Sequence, residues 1–578
     1  MPKKALSGLS ISILLAVALV TAIAPASLLS ARADQSTPPP DQPSLNDYWV
    51  VRAYYTDQAQ IDQLASWTEP WEVNREGGYI VLGVGPAEYN LLVVSGFRVE
   101  IDQEMTDAIL APREPNEGGG IPGFPCYRTV EETFSSAALL AATYPDFATW
   151  IDIGNSWEKT NNSNEGYDMM VLRITNSAMT DPKPKLFIMA GLHAREYAPP
   201  EIATRFAEYL LANYAADPDV TWLLDYHEIH LLLHSNPDGR KQAETGLLWR
   251  KNTNENYCSP TSNLRGADLN RNFDFKWGCC GGSSGNECSE IFRGESPASE
   301  PETQAIQDYV ASIIPDQRGP GDTDPAPLTT TGVFLDIHSF GELILWPWGW
   351  TAGPAPNASG LQTLGRKMGF YNTYFPQQAV QLYVTDGSSK DWAYGELGIP
   401  GYTIEVGNTF FESCTSFQNS VYPENLPALI YAAKTSRTPY MTTGGPEALN
   451  VAVSQAIVTN GIPVTITATI NDTRFNNQNG TEPTQNIVAA EYYFSVPDWV
   501  TTTTPLAVAM APIDGTFNSK IEGVEGVLDT TSLPIGRHLI YVRGKDAAGN
   551  WGVVSAVFLT ITDDKKIYLP IIRKSPEP

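Results

Sequence analysis

The stretch GLHARE, Gly191 to Glu196, places a histidine, an arginine and a glutamate directly after the apolar run KLFIMA. A histidine and a glutamate three residues apart can share one zinc ion. A catalytic zinc takes three protein ligands from His, Glu or Asp and leaves a fourth position for water. HxxE pairs arise by chance on many surfaces, so the third ligand decides. His338 in DIHSF ends a second apolar run and is the best candidate by context. His227, His230 and His234 in YHEIHLLLHSNPDG compete with it. His230 and His234 share one face of an extended segment, but lack an acid at HExxH spacing and read as structural.

Hydrolysis at such a metal needs a base for the water proton and a cation for the oxyanion. Glu405 in GYTIEVG ends a third apolar run. A carboxylate there is costly unless it works or is paired. Arg250 in LLWRKNT is a candidate oxyanion donor. Composition alone fixes neither role.

The elements that must position these groups alternate between strand and helix from about Cys126 to Arg437. KLFIMAGL, EIHLLLHS, VFLDIHS and YTIEVG read as strands, and PPEIATRFAEYLLANY and ETQAIQDYVASII as helices. The first helix opens on prolines, which suit a first turn, and has Ile202, Phe206 and Leu210 as its apolar stripe. This alternation predicts an α/β domain with a mixed or parallel sheet. Such sheets put ligands at the carboxyl ends of their strands, where GLHARE, DIHSF and TIEVG all sit.

The ordered motifs HARE, NPDG, WRKN, DLNRN, CSEIFRG, IHSF with LWPWG, DW and TIE resemble the zinc metallocarboxypeptidases of the carboxypeptidase A and carboxypeptidase T type. The likeness covers roughly residues 126–437 and implies an α/β domain with helices on both faces of a mixed sheet. It implies one zinc ion, held by His193, Glu196 and His338, with Asp268 orienting a ligand histidine. It implies Glu405 as general base and acid, and Arg250 as oxyanion stabiliser. Asn270 and Arg271 become the clamp on the substrate's terminal carboxylate, a site where a planar guanidinium fork suits two parallel hydrogen bonds. Tyr383 becomes a mobile phenol that closes over substrate, and Arg195 a subsite residue. The position before Asp391 lies at the floor of the pocket for the terminal side chain; here it is Lys390, which implies a preference for C-terminal Glu or Asp and repulsion of Lys or Arg. A Lys390 that bends outward or pairs with Asp386 would leave broad specificity. Cys288 precedes SEIFRG as a family cysteine does, which implies Cys258 as its partner.

The 578 residues exceed one core and predict several units. Residues 1–33 read as an export signal: Lys3 and Lys4, an apolar run from about Ile11 to Ala24, and a small-x-small site at Ala31-Arg32-Ala33. The run is short for a membrane span, which needs about 20 apolar residues. Residues 34–122 form a Pro/Gln/Ser-rich lead, a small α/β unit and a Gly/Pro linker, and read as a pro-region or accessory domain. The catalytic domain is expected over 123–437 and a linker over 438–447. Residues 448–563 show short strands between Asn/Gly/Thr/Asp turns, as in an all-β, immunoglobulin-like sandwich, which also holds His538. The tail 564–578 reads as an edge strand or a surface-attachment signal.

A net charge of −28 argues against nucleic acid and anionic membrane surfaces as partners. The expected partners are peptide or protein C-termini, with cell-surface or matrix contact through the β unit left open. Calcium binding elsewhere on so acidic a surface is also left open. Six cysteines in an exported chain favour disulfides. Adjacent Cys279 and Cys280 are expected to take different partners, since a bridge between neighbours is strained. The function predicted is a secreted zinc carboxypeptidase. Two alternatives stand beside it: a peptidase trimming peptidoglycan stem peptides, and an inactive surface-binding relative. Retention of both Glu405 and Arg250 argues against the last.

Overall fold

The computed structural model describes residues 48–111, 113–114, 118–500 and 506–563. The expected export signal, its lead and the C-terminal tail lie outside the described residues.

The α/β alternation builds an eight-stranded mixed sheet. Its order is Phe375–Gln378, Leu343–Trp346, Gly401–Glu405, Val333–His338, Lys185–Ala190, Glu228–Leu232, Asp168–Ile174 and Ala148–Asn155. Gly401–Glu405, Val333–His338, Lys185–Ala190 and Glu228–Leu232 run parallel, and antiparallel strands flank them. The central strands are buried on both faces, which explains their unbroken apolar runs; Val333–His338 is buried at every position. The helix Ala198–Asn213 has Pro199 and Pro200 in its first turn and buries Ile202, Phe206 and Leu210, as its stripe predicts. Thr129 and Glu132 cap Val130–Thr143 reciprocally: Glu132 N donates to Thr129 Oγ1 (3.3 Å) and Thr129 N to Glu132 Oε2 (2.9 Å).

The N-terminal unit is a four-stranded antiparallel sheet in the order Glu72–Asn74, Tyr79–Val84, Trp49–Tyr54, Arg98–Ile101. Its helices are Gln58–Ala65, Pro86–Val94 and Gln103–Leu110. The stretch VSGFRVEI, β-branched at both ends, does not form one strand: Val94 ends a helix and only Arg98–Ile101 is extended. Pro86 in a first turn starts that helix, a signal stronger than the β-branched composition at its end.

The C-terminal β unit has eight strands in one hydrogen-bonded order. Val508–Pro512 pairs with both Ile487–Phe494 and Ile521–Leu528, joining the two halves. Ile521–Leu528 alternates between exposed and buried positions, but the buried Glu522 and Gly526 mask the apolar pattern. The stretch 438–447 is packed rather than loose. It forms the helix Pro439–Thr442, and the next strand begins at buried Glu447. Glu447 accepts from Lys367 Nζ at 3.0 Å with both side chains buried. Ala556 N donates to Asp219 Oδ1 at 2.9 Å, and Lys434 Nζ reaches Asp219 Oδ2 at 2.6 Å. The buried Lys367–Glu447 pair and the partly buried Ala556–Asp219 hydrogen bond thus tie the β unit to the α/β domain.

Disulfides join Cys126 to Cys414, Cys258 to Cys288 and Cys279 to Cys280. The last corrects the expectation of different partners: the other four cysteines pair among themselves, which leaves the neighbours only each other. No described helix is long and apolar enough to cross a membrane.

Candidate metal centre and substrate cleft

Three adjacent parallel strands end together. His338 and Glu405 are cross-strand partners at the last positions of their strands, and Ala190 pairs with Ile337 one strand over. Shared register thus delivers His338, Glu405 and the GLHARE loop to one edge. Gly191 makes the turn out of its strand at φ 66°, and a Cβ there would fall 2.9 Å from Pro200 Cγ, so only glycine fits. Asn236 of NPDG ties the loop down. Its Nδ2 donates to Leu192 O (3.2 Å) and Lys251 O (2.9 Å), while its Oδ1 caps the next helix through Gly239 N (3.0 Å).

His193 Nδ1 lies 2.7 Å from Glu196 Oε1, and His338 Nδ1 lies 3.1 Å from Glu196 Oε2. One ligand atom from each of the three residues lies within 4.8 Å of the others, and all three side chains are buried. They are the only such metal-ligand group among the described residues. The outer nitrogen of each imidazole faces a carboxylate: His193 Nε2 is 3.2 Å from Asp268 Oδ1, and His338 Nε2 is 2.8 Å from Asp336 Oδ2. Such outer carboxylates fix ring orientation and raise ligand basicity. Two imidazoles and a carboxylate, clustered and backed in this way, fit a catalytic zinc. His230 instead faces the Tyr309 hydroxyl at 2.8 Å.

Asp268 also binds Arg250 twice, through Nε (3.1 Å) and Nη2 (2.7 Å). Burial would raise the Asp268 carboxyl, but Arg250, and after it His193 and Arg271, hold it well below the usual range. Burial pushes Glu405 up to about 8, helped by the carboxylates of Glu196, Glu69 and Asp336 against the pull of His338. A carboxyl poised near neutrality can both take and give a proton.

A cavity of about 40 Å³ adjoins the metal group and is lined by Asn270, Arg271, Tyr383, Lys390 and Glu405 among others. Arg271 is held by two backbone carbonyls, Nε to Gly282 O (2.8 Å) and Nη1 to Asn270 O (2.9 Å). Lys390 neither bends outward nor pairs with Asp386. It is buried, donates from Nζ to Ser388 Oγ (3.0 Å) and lies 3.9 Å from Asp391 Oδ1. Burial lowers its ammonium below the ordinary lysine value; Asp391 opposes this and Arg271 adds to it.

Two carboxylates that sequence reasoning missed shape the site. Asp336 precedes His338 by two, and alternate residues of a strand share a face, so DxH was a readable signal. Glu69 of the N-terminal unit carries no such signal. Its carboxylate sits 2.7 Å from Arg195 Nη2 and also bonds Arg250 Nη1. Arg195 is buried, with Glu290 at 3.1 Å as its second partner and Phe410 under its guanidinium. The segment Glu69–Glu76 forms one wall of a groove of about 610 Å³ that also reaches Tyr383 and Glu405. Tyr383 packs against the core of the N-terminal unit.

Residues 135–422 match the zinc carboxypeptidase family. This domain belongs to the zinc carboxypeptidase family. Rat carboxypeptidase A1 is 31% identical over 291 residues, which are 49% of this chain and 63% of the rat protein. A carboxypeptidase B from Helicoverpa zea is 33% identical over 294 residues, 48% of this chain and 62% of the insect protein. The chain thus spans under two thirds of the length of these relatives. A carboxypeptidase A structure from Helicoverpa armigera shares the fold, with a TM-score of 0.54 at 23% identity over 67% of this chain and 97% of that one. So does thrombin-activatable fibrinolysis inhibitor, with a TM-score of 0.51 at 21% identity over 67% and 98%. The carboxypeptidase domain is a hydrolase domain, and the metal of its family is zinc.

Proposed function

We propose that this chain is an exported zinc carboxypeptidase that removes the terminal residue from peptides and proteins, with a preference for C-terminal Glu or Asp. The observation that carries this reading is the buried His193, Glu196 and His338 group, backed by Asp268 and Asp336 and flanked by Glu405 on the next strand. The three residues hold zinc, which when bound supplies Lewis acidity and an acidified water. Glu405 takes the proton of the attacking water and returns a proton to the leaving amine. Arg250 stabilises the oxyanion, and the two hydrogen bonds it donates to Asp268 keep it oriented. Asn270 and Arg271 clamp the terminal carboxylate, Tyr383 closes over it, and Arg195 contacts the chain further back. Lys390 faces the terminal side chain, where a buried ammonium attracts a carboxylate and repels a cation.

In this reading residues 1–33 direct export, 34–122 are a pro-region, 123–437 are catalytic and 448–563 are an immunoglobulin-like sandwich. Contacts of Glu447–Val453 with Gly536–Asp546 and Ser555–Thr562 support the sandwich. The pro-region reading rests on Glu69. It neutralises the two cations that would meet substrate, and the cavity beneath has room for a few waters but not for an amino-acid residue. The test is a panel of peptides ending in Glu, Leu and Lys, assayed with and without a zinc chelator after removal of the N-terminal unit. We expect the fastest turnover on Glu and complete loss on chelation, restored by zinc. A best rate on Lys would sink the specificity, and activity surviving full metal removal would sink the mechanism.

A further inference from the structure

Cys279 and Cys280 form one disulfide and are both exposed, in a turn between Gly278 and Gly281. A bridge between neighbours closes an eight-membered ring that contains their shared peptide unit. Rotation about the bonds flanking that unit is restricted, so the Cys280 N–H keeps a fixed direction. That N–H donates to Asp386 Oδ2 at 2.9 Å, and the Gly282 N–H donates to the same oxygen at 3.1 Å. Asp386 is buried. The Gly282 carbonyl accepts from Arg271 Nε at 2.8 Å. Gly282 lies so close to the next segment that a Cβ would fall 2.5 Å from Thr385 Cα. That segment returns to Arg271: Phe273 N donates to Gly387 O at 3.0 Å, and a Cβ on Gly387 would fall 2.3 Å from Arg271 O. The ring, Asp386 and Arg271 are thus consecutive links in one packed unit, and Arg271 lines the small cavity beside the metal group.

We propose that the Cys279–Cys280 ring is a positioning element for the substrate's terminal carboxylate: it fixes two amides on Asp386 and one carbonyl on Arg271, and so preorganises the guanidinium. Preorganisation of this kind lowers the ordering cost of binding. The inference rests on the reading of Arg271 as the clamp. Its effect belongs in substrate binding, so its loss raises KM with little change in kcat.

The experiment folds the full chain and its C279S/C280S, D386N and R271A variants, then cleaves off the N-terminal unit before assay. Each is assayed on paired substrates that differ only in a free or amidated C-terminus. Peptide mapping of the native protein first establishes the Cys279–Cys280 bond; two free thiols there would overturn the proposal. For C279S/C280S we expect KM for the free-acid substrate to rise about 5- to 20-fold, kcat to change less than twofold, and the acid-to-amide preference to shrink. D386N should move the same way, and it gives a second reading should the serine variant fold poorly. R271A tests the underlying assignment by itself. If it leaves the acid-to-amide preference intact, the clamp reading fails. If R271A abolishes the preference while C279S/C280S and D386N keep wild-type KM, the clamp stands and the positioning inference is overturned.

Discussion

Replacing Glu69 with glutamine keeps its size and removes its charge. The native carboxylate bonds Arg195 Nη2 at 2.7 Å and Arg250 Nη1, and its side chain is 12% exposed against 0% and 2% for the arginines. Breaking a buried pair from one side costs about 3–5 kcal/mol because the partner charge is stranded. Here neither arginine is stranded, since Arg195 keeps Glu290 at 3.1 Å and Arg250 keeps Asp268 at 2.7 Å. The loss is therefore about 2–3 kcal/mol, below the usual range. At about 1.4 kcal/mol per tenfold, the N-terminal unit would hold the cleft roughly 30- to 150-fold less tightly. The assay is steady-state hydrolysis of an N-blocked peptide ending in Glu by the full chain, with mass spectrometry confirming that residues 48–122 remain attached. The Glu69→Gln chain should be several-fold to a hundredfold more active than the unaltered chain and approach the rate of a trimmed one. Equal rates for the unaltered, substituted and trimmed forms would refute inhibition by the N-terminal unit. Activation by trimming alone would assign it to the N-terminal unit as a whole and not to Glu69.

Lys390→Ile should shift preference from C-terminal Glu toward Leu, read as a reversal in relative kcat/KM; an unchanged order would remove Lys390 from the pocket. The same lysine predicts a pH effect. Its pKa is lowered by burial, so its charge is complete well below that value and is lost, as pH rises, earlier than for an exposed lysine. The Glu-to-Leu preference should therefore decline on the alkaline side while Leu turnover persists, as measured by paired pH profiles. Glu405→Gln should lower kcat by about 10²- to 10⁴-fold without changing the circular dichroism spectrum. Asp336→Ala should weaken zinc binding about 10- to 100-fold, measured by competition with a chelator. Lys367→Met should leave Glu447 buried with Arg474 and the Tyr371 hydroxyl as its partners, lowering stability by about 2–3 kcal/mol in a denaturant titration.

The central sheet and its helices were readable because their patterns are local. KLFIMA and VFLDIH are apolar at nearly every position, as strands buried on both faces must be, and Ile202, Phe206 and Leu210 recur at helical spacing. The N-terminal helix Pro86–Val94 and the strand Ile521–Leu528 were harder, because short elements with mixed composition give weak periodic signals. Motif order named residues that the structure brings together: HARE and IHSF supply the grouped His193, Glu196 and His338, DLNRN supplies Asp268 facing His193, and Asn270, Arg271 and Glu405 line the adjoining cavity. Asp336 is legible only in the DxH spacing, which puts it on the same strand face as His338.

Sequence by itself determined which side chains have the chemistry to hold a metal and move a proton, because residue type and strand-end position are both local properties. Tertiary structure alone decided what each of them faces. Register between three parallel strands set His338 beside Glu405. Folding of the N-terminal unit over the cleft put Glu69 between Arg195 and Arg250. The pairing of the other four cysteines left Cys279 and Cys280 to each other, beside the loop that holds Arg271. These contacts join residues tens to hundreds of positions apart, and no local pattern encodes the free energy of such a meeting.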